Sequence, residues 1–212
     1  MTLSTSPVPA RTDTTPATAP ARHADLRTLV RRCGAVLATG AAAWAIGSAF
    51  TGPNPSDSAG IAVQMWTALA FQIGLVALLA AYRRTRAIGA GRVARTVMVV
   101  EHLLLAGAVL NTLDPLLPFF RGTGFDLAFD ICWPLSMLGM LGIGIRMAVA
   151  GRWTGAARLW PLVAETWAIV VIPAHVACPG LDQVVSPLHL LLGYTTLGVI
   201  MAVRPELTLR RK

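Results

Sequence analysis

An all-α polytopic membrane fold, six transmembrane helices with the N-terminus and C-terminus both cytoplasmic, is the class this 212-residue sequence predicts, and three observations predict it. Six apolar stretches each come near the roughly 20 residues a helix needs to cross a bilayer core. All of the 18 Lys and Arg residues except Arg121 fall at every second inter-span segment. The intervening loops carry Asp instead. Apolar length gives the number of spans and the Lys/Arg asymmetry of short loops gives their direction, so the two signals together define a topology.

Residues 1–24, with Ser4, Pro7, Pro9, Thr14, Thr15, Pro16 and Pro20, are too poor in apolar side chains to bury a core and read as a disordered cytoplasmic tail. Residues 25–204 form the six-helix domain, and 205–212 a basic cytoplasmic tail. The first span, Cys33 to Phe50, follows Arg22, Arg27, Arg31 and Arg32. With Gly47, Ser48 and Ala49 at its end it imitates a secretory signal, but it is longer than a signal core and begins late, so a retained span is expected. Ala35, Thr39, Ala43 and Gly47, four residues apart, offer a small-residue packing face.

The second span, Ile61 to Tyr82, runs from the Asp57 loop to Arg83, Arg84, Arg86, Arg92 and Arg95, with Gln64 and Gln72 turned to the interior. The third, Val93 to Leu110, leads to Asn111, Asp114 and an apolar loop through Phe119 and Phe120. That loop is expected along the outer interface or folded over the bundle, with Arg121 paired to a neighbouring carboxylate. The fourth, Ala128 to Val149, carries Pro134, Gly139, Gly142 and Gly144 and ends among Arg146, Arg152 and Arg158. The fifth, Leu159 to Ala177, is expected to kink at Pro173, and the sixth, Val184 to Val203, runs from Asp182 to Arg204, Arg210, Arg211 and Lys212. Trp66, Trp133, Phe119, Phe120, Phe125 and Phe129 cluster toward the outer boundary and Trp153 and Trp160 toward the inner one. This is the pattern of a multi-pass protein of the cell membrane.

A net charge of +8 would suggest nucleic acid in a soluble chain, but here topology accounts for it, and no nucleic-acid partner is expected. The bilayer itself is the expected partner, with anionic inner-leaflet lipids as a secondary attraction. The small-residue faces serve packing within one chain or homo-oligomerisation, which the sequence does not separate.

Five ionisable side chains lie well inside the spans: Glu101, His102, Glu165, His175 and His189. Such groups are costly in a bilayer, face the bundle interior and often mark function. Spans three and five run in the same direction, so Glu101 lies about 9 Å above Arg95 and Glu165 about 10 Å above Arg158. The two carboxyls are thus candidates for one level, where both cannot stay ionised, or for pairing with His102. Glu101, His102 and Glu165 are the candidate catalytic or proton-relay groups. The bland reading is an interhelical Glu/His hydrogen bond.

His175 and His189 occupy the outer half, where Asp130, Asn111 and Asp114 lie near the mouth. His175, His189, Asp130 and Asn111 are the candidate substrate-binding set. No HxxxH or HExxH spacing supports a metal, and no cofactor is assigned. On the sixth span His189, Gly193 and Thr196 form a polar, small stripe. Of three cysteines, Cys33 is near the inner face, and Cys132 and Cys178 near the outer one, where a disulfide tying spans four and five is permitted.

Two functions compete. One is a carrier or accessory subunit handling a small lipophilic molecule, although no inverted repeat and no matching pair of broken helices is evident. The other is a membrane-embedded enzyme using Glu101 and Glu165 in acid–base chemistry on an isoprenoid or other lipid, without the Asp-rich motif of diphosphate ionisation. A structural subunit is the third reading.

Overall fold

The computed structural model describes residues 19–52, 55–117, 124–178 and 180–209, and these contain helices and no strand. Six segments are long and apolar enough to cross a membrane, His23–Thr51, Ser58–Thr85, Arg92–Thr112, Leu127–Ala150, Ala156–Ala174 and Gln183–Val203. Each of the six expected spans thus coincides with a helical segment of sufficient length and apolarity. The tail up to residue 18, Phe119, Phe120, Arg121 and the final Arg210, Arg211 and Lys212 lie outside the described residues.

Helix α1 (Ala19–Thr51) begins well before Cys33, so residues 19–24, expected in the tail, are helical. It buries Val30, Cys33, Leu37, Ala41 and Ala45 against α2 (Ser58–Thr85) and the sixth span. A Cβ on Gly34 would lie 2.6 Å from Gly198 O in that span, and one on Gly198 2.5 Å from Ala38 N, so these backbones touch only because both residues are glycine. The expected stripe packs only toward its far end, where Gly47 is buried against Thr67, while Ala35 and Thr39 are exposed. Four residues advance a helix by about 400°, so a strict four-residue repeat drifts about 40° per step off any one face.

Asp57 caps α2, its Oδ2 accepting from Gly60 N at 2.8 Å. Inside the bundle Gln72 donates to Thr112 Oγ1 at 2.7 Å and to Ala108 O at 3.3 Å, joining α2 to α3 (Arg92–Thr112). Gln64 accepts from Trp44 Nε1 and donates to Gly52 O, so both glutamines face inward as expected. Helix α4 (Gly124–Ala150) continues through Pro134 and packs between α3 and the fifth span.

The loops rich in Arg meet at one end of the bundle. Arg31 Nε donates to Ala202 O, Trp153 Nε1 to Thr85 Oγ1 at 3.0 Å, and Thr154 N to Leu207 O at 2.8 Å. Trp153 is no interfacial anchor. It is 1 % exposed, stands edge-on to Tyr82 with centroids 5.3 Å apart, and plugs the basic end of the core. The segment after Val203 is likewise packed rather than free: Pro205–Thr208 forms a 3₁₀ turn that buries Thr208.

The fifth and sixth spans are interrupted. The fifth is split into α5 (Ala156–Glu165) and α6 (Trp167–Ala177), and the break falls at Thr166, not at Pro173, through which α6 continues. The Thr166 hydroxyl donates to Val163 O at 2.7 Å while its amide reaches the same carbonyl at 3.4 Å, so side chain and backbone compete for one acceptor. The sixth comprises α7 (Asp182–Leu190), a π-turn over Leu191–Thr195, and α8 (Thr196–Val203). Side chains satisfy its loosened carbonyls: Trp160 Nε1 donates to Leu192 O at 3.0 Å and Gly193 O at 3.1 Å, and Thr196 Oγ1 to Leu191 O at 3.1 Å.

Candidate functional site

Glu101 sits mid-way along α3 and is 2 % exposed. Its Oε1 accepts from Ser136 Oγ of α4 at 2.5 Å. Gly139, one turn further on, makes room for the carboxyl, since a Cβ there would collide with Oε2. Outside this contact a groove of about 720 Å³ runs between α3 and α4, bordered by Glu101, Val97, Leu104, Gly142 and Ile143, with Arg146 and Arg152 at its basic end.

Glu165 is the last residue of α5, 1 % exposed, and held from the other side of α4. A Cβ on Gly144 would lie 3.4 Å from its Cγ and 3.2 Å from Leu162 Cα. Its Oε2 accepts from Tyr194 Oη at 2.5 Å, and its Oε1 has no hydrogen-bond partner. The hydroxyl of Tyr82 is also buried without a partner, within electrostatic reach of Glu165. Tyr194 in turn packs edge-on against Phe71 at 4.9 Å, and Phe71 stacks on Trp44 at 5.0 Å. Gly193 lets the π-turn reach α5, because a Cβ there would meet Ala164 Cα at 2.9 Å.

The two carboxyls are close enough for their charges to interact, yet they are not hydrogen-bonded to each other. Gly139 and Gly144 are about 7.5 Å apart along α4 and about 140° apart around it, so each carboxyl packs on its own face of that helix. His102 joins neither. Its Nδ1–H donates to Met98 O of its own helix at 2.5 Å, and the ring borders a different cleft between α2 and α3. One residue along a helix is a rotation of about 100°, so adjacency in sequence places Glu101 and His102 on different faces.

The outer set is more dispersed. His189 Nε2 lies 3.2 Å from Thr166 Oγ1, at the break between α5 and α6, and its Nδ1 is buried without a partner. Asn111 is half-buried at the end of α3, Asp130 is exposed, and His175 lies in α6 with its side chain outside the described residues. Among the described residues no three His, Cys, Asp or Glu side chains are placed to hold a metal. Cys132 and Cys178 are not bridged: Cys132 Sγ donates to Ala128 O and packs over Gly107 of α3, whereas Cys178 is exposed. Spans four and five are joined through Gly144 instead.

Sequence reasoning passed over Ser136, Tyr82 and the role of Tyr194. A signal was there, because the chain has 2 tyrosines, of which Tyr194 bonds Glu165 and Tyr82 lies within electrostatic range of it. A hydroxyl on an aromatic body reaches a carboxyl inside a bundle without a formal charge. Comparison with protein-family models, with curated proteins and with solved structures finds no match to this chain.

Proposed function

We propose that the protein is a carrier or accessory subunit for a small lipophilic molecule, which enters sideways from the bilayer along the α3–α4 groove and meets Glu101. The observation that carries this reading is the Gly139 and Gly142 wall. At Gly139 the missing side chain admits the Glu101 carboxyl, and at Gly142 a Cβ would meet nothing within 4 Å, so the groove is open beside a buried titratable group. Such groups within apolar spans mark substrate or proton paths. The basic end faces the cytoplasm of the cell, following the Lys/Arg asymmetry.

Two further features support handling over covalent chemistry. The interruptions at Thr166 and at the π-turn flank Glu165, and irregular turns inside spans are where helices shift. An acid–base enzyme needs two groups on one substrate, but Glu165 and His102 do not border this groove.

The test uses dicyclohexylcarbodiimide, an apolar reagent that adds to a protonated carboxyl and rearranges to a stable acylurea. In membranes containing the protein, the Glu101 peptide should carry the adduct at about ten times the level of the Glu165 peptide. Gly142→Leu, whose Cβ meets nothing within 4 Å and whose side chain occupies the groove, should remove it. Absence of a Glu101 adduct in the folded protein, or equal labelling of Glu165, overturns the reading.

A further inference from the structure

We infer a second ligand site, for the headgroup of an anionic glycerophospholipid, in the cleft between the end of α2 and the start of α3. The cleft holds about 690 Å³ and is bordered by Arg83, Arg86 and Arg95, with no Asp or Glu among its lining residues. Below the arginines its floor is mostly apolar, running past Ile88, Met98 and Leu103, with His102 beside them, into the membrane-crossing part of α3. A free phosphate would use the rim alone. The apolar floor below three cations matches a molecule with a phosphate at one end and acyl chains at the other, so charge and shape together select a lipid.

Topology requires arginines at this end of the bundle, but it requires neither a concavity nor a strained residue. Arg86 supplies the second observation. It ends α2 in the left-handed conformation, φ 54° and ψ 40°, and is the one non-glycine residue with positive φ among those described. Glycine is the usual residue there, because a Cβ crowds the following carbonyl. Its amide closes the helix on Arg83 O and Tyr82 O, which sets the guanidinium-bearing residue at the cleft rim. None of the three guanidinium groups makes a hydrogen bond or ion pair with another described residue, so the charge at the rim is not neutralised by the described residues. A basic side chain held where the backbone favours glycine motivates a role for its charge at the rim.

The cleft shares Ile88, Gly89, Ala90 and Ala94 with the α3–α4 groove, but of the two Arg83, Arg86 and Arg95 border only the cleft and Glu101 only the groove. Native mass spectrometry of the full chain released from detergent tests it, with dioleoyl-phosphatidylglycerol against dioleoyl-phosphatidylcholine. Wild type should prefer the anionic lipid. At about 1 kcal/mol per arginine, the triple variant Arg83→Ala, Arg86→Ala, Arg95→Ala should lose about 100-fold of that preference, and Arg86→Gly alone about fivefold.

Arg86→Gly separates binding from folding. Glycine relieves the backbone, so its melting temperature should hold or rise while lipid binding falls; a merely structural role predicts that both fall or that binding is unchanged. Arg27→Gln with Arg32→Gln, two exposed basic residues at the same end but outside the cleft, should keep the preference. Loss of the preference in that control reduces the effect to net charge and overturns the site. Displacement of the lipid by inorganic phosphate at matched concentration overturns the lipid as its occupant.

Discussion

On one face of α4, Glu101 takes a single hydroxyl from Ser136 and borders an open groove. On the other face, Glu165 takes the hydroxyl of Tyr194 and is enclosed between the end of α5 and the π-turn. The two carboxyls are equally buried, at 2 % and 1 % exposed. What differs is the stiffness and reach of what surrounds them. Around Glu101, glycines on a regular helix leave space; around Glu165, glycines let backbones close, and aromatic side chains fill the remainder. Burial alone therefore does not distinguish the two carboxyls. The space beside them does.

The largest expected effect falls on the closed side. Gly193→Ala puts a Cβ 2.9 Å from Ala164 Cα, a backbone atom that cannot swing away, and should destabilise the protein by about 1–3 kcal/mol. Thermal unfolding in detergent reads it. A neutral result would mean that the π-turn and α5 are not tightly joined, and the contrast between the faces would collapse.

Tyr194→Phe comes next. It removes the one partner of Glu165 Oε2 while Oε1 already has none, leaving a buried carboxyl unsatisfied, at about 1–3 kcal/mol. Ser136→Ala is expected to cost about 1 kcal/mol or less, since Glu101 can turn toward the groove. Equal losses from the two variants, measured side by side, would show that the groove offers Glu101 no alternative.

Much of this was legible in the sequence. Apolar length marked the six long apolar helices because a bilayer core sets the length of what crosses it. Glu101 and Glu165 stood out because a carboxyl in an apolar run is rare whatever it touches. What touches them was hidden. Ser136 meets Glu101, and Tyr194 meets Glu165, only through helix rotation and pairing, which no local pattern encodes. The break at Thr166 was masked by the louder signal of Pro173, whose missing donor is absorbed within α6, while a threonine hydroxyl competing for Val163 O looks unremarkable in a list of residues. The π-turn was unreadable for the same reason: Trp160, which satisfies it, lies on another helix.

Gly142→Ala is the smallest effect and the sharpest, because its sign is opposite. The same substitution at Gly193 gains the same helical preference but strikes α5. At Gly142 the new methyl meets nothing within 4 Å, so only the preference of a helix interior for alanine remains, a stabilisation of about 0.5–1 kcal/mol. One methyl is also too small to close a groove of about 720 Å³, so carbodiimide labelling of Glu101 should persist in this variant although Gly142→Leu abolishes it. A protein that gains stability while keeping Glu101 reachable has a glycine whose absence of side chain serves access and not packing. Destabilisation by Gly142→Ala would instead mean that α3 closes on α4 at this point, and Glu101 would then be as enclosed as Glu165.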